Sequence, residues 1–177
     1  MPFPLAPDAM CKRRHFMLMA LLAASAKGSL MAATPNAQVA PELEGTAPDG
    51  QRLGLAGLRG RVVLVFYWAT GCAVCRDKMR ELRANLTGWK GQPFTLLGVN
   101  MDARQQDFIG YESLVRQTLP TAQQFTSLWA GAPGFRDSMG RPEHLPSACL
   151  IDKQGRLVER YNGRIPPEAW DRIAELL

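Results

Sequence analysis

The stretch VVLVFYWATGCAVC, residues 62–75, decides the fold. Its first seven residues, Val62 to Trp68, are an unbroken run of β-branched, aliphatic and aromatic side chains. A strand with one wet face would alternate, so this run predicts a central strand covered on both sides. It breaks at Ala69-Thr70-Gly71 and delivers the chain to Cys72-Ala73-Val74-Cys75. Beyond it, Cys75, Met79, Leu82 and Leu86 recur at spacings of four, three and four, with Arg76, Lys78, Arg80 and Arg83 between them. That spacing predicts an amphipathic helix ending near Gly88.

Downstream, residues 94–99 (FTLLGV) predict a second buried strand, and Phe108, Tyr111, Val115 and Leu119 mark a helix stopped by Pro120. The order β-α-β-α implies a parallel strand pair with a crossover helix. Residues 148–151 read as a strand, Asp152-Lys153-Gln154-Gly155 as a tight connection, and residues 156–161 as its antiparallel partner. Pro166 or Pro167 opens a last helix with Trp170, Ile173 and Leu177 as its buried stripe. Upstream, the Asp49-Gly50 turn and a short strand over residues 52–55 suggest a hairpin-like β extension. Residues 121–144 hold Gly131, Pro133, Gly134 and Gly140, and predict a short helix and little else. The fold class is α/β, with a central mixed sheet.

The chain has 177 residues, enough for one domain and an N-terminal extra. With 46% apolar and 21% charged residues it can bury a core without several disulfides or a structural metal. Lys12 to His15 form a basic segment, residues 16–26 (FMLMALLAASA) an apolar run, and Ala24-Ser25-Ala26 a small-x-small site. This is the three-part pattern of a secretory signal. Those eleven residues would span about 16 Å as a helix, half a bilayer core, which argues against a permanent anchor. RRHFM, residues 13–17, also fits a twin-arginine signal. Residues 27–40 read as a flexible lead into a domain over 41–177. The formal charge is +5; without residues 1–26 it is 18 bases against 15 acids. That surplus is spread along the chain without interleaved aromatics, so no nucleic-acid surface is expected.

A strand-to-helix junction puts Cys72 at a helix N-terminus, where unpaired amides and the helix dipole favour a thiolate. Cys75, one turn later, is placed to attack a mixed disulfide formed at Cys72 and release the partner. A CxxC pair is also half of a zinc site, but zinc needs two further ligands. The remaining candidates are Cys11, His15, His144 and Cys149, and the first two lie in the signal segment. No metal or other cofactor is therefore expected. Cys149, among apolar neighbours, reads as a buried inert thiol. His144 reads as either an exposed loop residue or a group near the site.

WATGCAVC, the preceding VVLVFYW and the later LPSACLIDKQGRLV (residues 145–158) together resemble the TlpA/ResA-like thioredoxin family of exported disulfide reductases, over roughly residues 41–177. The resemblance implies a thioredoxin-like three-layer fold with helices flanking the sheet. It implies that Cys72 and Cys75 are catalytic, that Pro146 is a cis-proline facing them, and that Trp68, Leu145 and Pro146 bind substrate. It further implies a monomer in the periplasm acting on cysteine-containing exported proteins such as apocytochrome c, with electrons from a membrane reductase of the DsbD type.

Three positions depart from the family pattern. Phe66 stands where thioredoxins carry a buried aspartate, Lys78 where ResA-like members carry a glutamate, and Arg80 where a helix-kinking proline is usual. Asp77 points about 100° away around a helix and is a poor substitute acid. Arg76, Lys78 and Arg80 either approach the thiols, making the protein more oxidising, or form a solvated face. Two other chemistries share the fold. A Sco-like copper-binding assembly protein would use Cys72, Cys75 and His144, a soft ligand set, but such proteins space their cysteines CxxxC. A peroxidase of the peroxiredoxin kind needs a threonine three residues before its cysteine, and Thr70 is two before Cys72.

Overall fold

A computed structural model describes residues 40–177; the expected signal over 1–26 and the lead up to residue 39 lie outside the described residues. In chain order the strands are β1 (Leu43–Thr46), β2 (Arg52–Gly54), β3 (Val62–Trp68), β4 (Phe94–Asn100), β5 (Thr126–Trp129), β6 (Arg136–Asp137), β7 (Ser147–Ile151) and β8 (Leu157–Asn162). The helices are α1 (Ala73–Gly88), α2 (Gln105–Thr118) and α3 (Glu168–Leu176).

A five-stranded sheet has the order β5-β4-β3-β7-β8. The β3–β4 and β4–β5 pairs are parallel, and the β3–β7 and β7–β8 pairs antiparallel. The mixed sheet follows from two kinds of connection: helices α1 and α2 carry the chain across between parallel strands, whereas the Asp152–Gly155 turn needs only a tight reversal. Gly155 there adopts φ 75°, and a Cβ would meet the Arg59 guanidinium at 2.5 Å. The positive φ disfavours a side chain here, whereas the guanidinium, at the far end of a flexible arginine, can move aside.

All seven residues of β3 are buried because the strand serves two cores. Leu64, Phe66 and Trp68 face one cluster with Cys75, Met79 and Leu82 of α1, Phe108 of α2 and Ile173 of α3. Val63, Val65 and Tyr67 face the other, with Leu43, Ala47 and Leu55 from the N-terminal extension and Cys149 of β7. The period of two along one strand thus divides the interior.

Three features differ from the expectation. The hairpin-like extension is a three-stranded antiparallel sheet, order β2-β1-β6, because β1 pairs with both β2 and the distant β6. Residues 121–144 supply more than a short helix: beside a single 3-10 turn at Thr121–Gln123 they contribute β5 to the main sheet and β6 to the small one. Lys78 and Arg83, read as polar positions of α1, are 3% and 7% exposed. Arg83 lies over the Phe125 ring at 4.8 Å and donates to Gln123 O at 2.8 Å, so its charge is satisfied under the loop that follows α2.

Candidate active site

β3 ends at Trp68, and the turn that follows places Cys72 as the N-cap of α1. Cys72 N–H donates to Ala69 O, and Arg76 N–H to Cys72 O, each at 3.1 Å. The Cys72 Sγ accepts the Cys75 N–H, also at 3.1 Å. Sulfur here takes the place that a serine or aspartate oxygen usually fills at a helix start, so an amide that would lack a partner points at the atom that becomes the nucleophile. Cys72 and Cys75 form a disulfide with Cα atoms 5.2 Å apart. Cys72 is half-buried and Cys75 fully buried. That asymmetry gives an incoming thiol or disulfide access to one sulfur and keeps the other for the internal step.

The Leu145–Pro146 peptide bond is cis. Tyr67, one residue before the end of β3, pairs with Ser147 at the start of β7, which brings this bond to the end of the sheet where β3 leads into α1. Pro146 is buried, and Leu145 is half-buried between the two cores. Trp68 has no exposed surface. It packs on Phe108 and Tyr111 at centroid distances of 6.5 and 4.9 Å, and its Nε1 finds no acceptor among the described residues. Trp68 therefore packs in the core cluster that holds Cys75, with no exposed surface.

Phe66 is wholly buried and provides no acid. Lys78 neither faces the solvent nor stands free: its Nζ donates to Glu81 Oε2 at 2.7 Å and lies 5.8 Å from the Trp170 ring centroid. Burial alone would raise the Glu81 carboxyl, but hydrogen bonds from Lys78 and the Trp170 indole outweigh it and hold the group below its ordinary value. Arg80 pairs with Asp77 at 2.8 Å on the exposed side, and Arg76 donates to Thr70 O. Each of the three cations is engaged by a partner other than sulfur.

Asp102, which the sequence reading passed over, reaches the site from the end of β4. Its Oδ1 accepts the Thr70 N–H at 2.9 Å, two residues before Cys72. The signal for it lay in position alone: functional groups in open α/β sheets gather at the carboxyl ends of parallel strands, where Asn100-Met101-Asp102 stands. Cys149 is buried on the other face of the sheet, and burial pushes its thiol up to about 11 against the pull of Arg160. His144 is exposed and lines a cavity of about 430 Å³ with Tyr67, Arg141 and Arg160. No group of three His, Cys, Asp or Glu side chains that could hold a metal is found among the described residues.

Residues 37–168 match the AhpC/TSA family. The chain belongs to that family. Among AhpC/TSA relatives, the thiol–disulfide oxidoreductase ResA of Bacillus thuringiensis (strain Al Hakam) is 27% identical over 127 residues, covering 70% of this chain and 68% of ResA. A thiol–disulfide oxidoreductase from Bacteroides fragilis superposes with a TM-score of 0.60 at 20% identity, covering 78% of this chain and 98% of that one. The pneumococcal exposed lipoprotein thioredoxin of Streptococcus pneumoniae gives a TM-score of 0.56 at 19% identity, covering 76% and 99%. The fold is thioredoxin-like, and this AhpC/TSA member is a thiol–disulfide oxidoreductase. No described helix is long and apolar enough to cross a membrane.

Proposed function

We propose that this oxidoreductase is exported and reduces disulfides of periplasmic proteins, apocytochrome c among the candidate substrates. The observation that carries the reading is the split between the two sulfurs. Cys72 is reachable and capped by the Cys75 N–H, while Cys75 is enclosed behind it. In the reductive direction the Cys72 thiolate attacks one sulfur of a substrate disulfide, forming a mixed disulfide and releasing one substrate thiolate, which takes a proton. Cys75, deprotonated, then attacks Cys72 Sγ; the second substrate sulfur leaves as a thiol, and the Cys72–Cys75 disulfide remains. Two electrons from a membrane reductase of the DsbD type would restore the dithiol.

Two further points support the reading. Cations beside a thiolate favour an oxidising protein, but Lys78 and Arg80 are paired with the Glu81 and Asp77 carboxylates, leaving only Arg76 of the three, on the Thr70 carbonyl, without an acidic partner among the described residues. Residues 12–26 carry the basic and apolar pattern of an export signal. The test is Cys75→Ser expressed with its own N-terminal segment, followed by isolation of the mixed disulfides that Cys72 accumulates and by the redox state of the wild-type dithiol in the envelope. Trapped cysteine-containing envelope proteins and a mostly reduced dithiol are expected. A dithiol that stays oxidised at steady state would reverse the direction.

A further inference from the structure

Segment 100–102 leaves β4 beside the turn that precedes Cys72 and is stitched to it. Met101 N–H donates to Trp68 O at 2.7 Å. Asn100, fully buried, donates from Nδ2 to Asp102 Oδ2 at 2.8 Å, and Asp102 N–H donates back to Asn100 Oδ1 at 3.1 Å. The carboxylate is thereby oriented, with Oδ1 turned to the Thr70 N–H at 2.9 Å. The indole of Trp129 donates to Asp102 O at 2.8 Å and fixes the backbone from the β5 side. Arg76 takes hold of the Thr70 carbonyl from α1. Thr70 is thus gripped at both its N–H and its C=O.

Within the turn itself the Cys72 N–H, donating to Ala69 O at 3.1 Å, is the one further hydrogen bond found among the described residues. Gly71 has no side chain, and the place where its Cβ would stand has no neighbouring atom within 4 Å. Cys72, however, must sit where the Cys75 N–H reaches its sulfur, since that contact and the helix dipole act over short distances. We propose that Asp102 is a positioning residue for Cys72: by accepting the Thr70 N–H it fixes the turn that holds the nucleophile on the helix N-terminus. The inference rests on the dithiol chemistry alone, and a failure to trap envelope substrates would leave it untouched.

Position and charge act in opposite directions here, which makes the proposal decidable. A carboxylate near a thiolate disfavours it, so removing a group that acted by charge would make Cys72 more reactive. Removing a group that acts by position makes it less reactive. The experiment uses the full chain, reduced, and follows iodoacetamide alkylation of Cys72 across pH in the wild type, Asp102→Ala and Asp102→Asn. In Asp102→Ala, alkylation below neutral pH should slow about fivefold and the apparent thiol titration move to higher pH. Asp102→Asn keeps an oxygen for Thr70 but sets its NH2 against Asn100 Nδ2, which Asp102 Oδ2 accepts, so it should fall between the wild type and the alanine form. Equal or faster alkylation in Asp102→Ala would overturn the proposal, as would an Asp102→Asn faster than the wild type, the sign of a group acting by charge. Should Asp102→Ala not fold, the Thr70 amide of the wild-type protein decides. Slow hydrogen exchange there is expected, and exchange as fast as that of a free turn would overturn the grip.

Discussion

Lys78 Nζ and Glu81 Oε2 stand 2.7 Å apart across one turn of α1, yet the lysine side chain is 3% exposed and the glutamate 42%. The pair is therefore asymmetric. Removing Lys78 leaves a carboxylate that water can reach, whereas removing Glu81 leaves an enclosed ammonium beside the Trp170 ring and takes the acceptor from the Trp170 indole N–H as well. Lys78→Met, which keeps most of the buried stem, should cost under about 1 kcal/mol. Glu81→Ala should cost about 1–3 kcal/mol. Urea unfolding of both variants checks the order; equal losses would mean that the lysine is hydrated.

Glu112 of α2 is 7% exposed, and burial pushes its carboxyl above the ordinary value of 4.5 despite the opposing pull of Arg116 and Arg83. A carboxyl raised in the folded state binds more protons there than in the unfolded chain. Its contribution is then fully present below pH 4.5 and declines as pH rises from there through the folded value. Glu112→Gln should therefore stabilise the protein at neutral pH and have little effect in acid. Unfolding midpoints measured on both sides of the window would show the slope flattened.

Cys149 should be silent toward alkylating agents in the folded, reduced protein, because its thiol is 1% exposed and titrates at about 11. Mass spectrometry after a short neutral-pH treatment should find Cys72 modified and Cys149 modified only after denaturation. Cys149→Ala should leave thiol–disulfide exchange unchanged and cost about 1 kcal/mol of stability.

Tyr67 OH donates to Asp137 Oδ2 at 2.8 Å and ties the main sheet to β6. Burial raises the Asp137 carboxyl, while this bond and the Met139 N–H lower it. Tyr67→Phe removes a lowering contact, so the carboxyl rises further and its ionised form becomes harder to keep. The loss should be about 1–2 kcal/mol at neutral pH and smaller in acid, where the group is protonated in both forms. Denaturant titrations at the two pH values test this, and a pH-independent loss would point to packing alone.

What the sequence revealed depended on whether a segment's structure is written in its own residues. The run from Val62 to Trp68 and the stripe Cys75, Met79, Leu82 carry their period within themselves, and both elements formed where expected. TSLW at Thr126–Trp129 is four residues long and follows no clear alternation; it is a strand because β4 offers it a parallel edge. LEGT at Leu43–Thr46 contains a glycine, yet it becomes the middle strand of the small sheet through two partners. Lys78 and Arg83 looked like surface because charge was read without knowing that Trp170 and Phe125 would cover them. Both cysteines of the site were legible from their spacing and junction. Asp102 was not, since its link to Thr70 spans 32 residues and exists only once β3 and β4 lie side by side.

The small sheet also imposes an order of assembly. Glu44 of β1 meets Arg136 of β6, 92 residues further along the chain. A strand that leads the domain must therefore wait for β2 to β5 and both α1 and α2 before its second edge closes, and contacts of such long range slow folding because the loop is closed before they form. A nascent chain would present β1 with one flank open until residues 136–137 arrive. In that interval β1 keeps an unpaired hydrogen-bonding edge, which a strand of another chain can pair with.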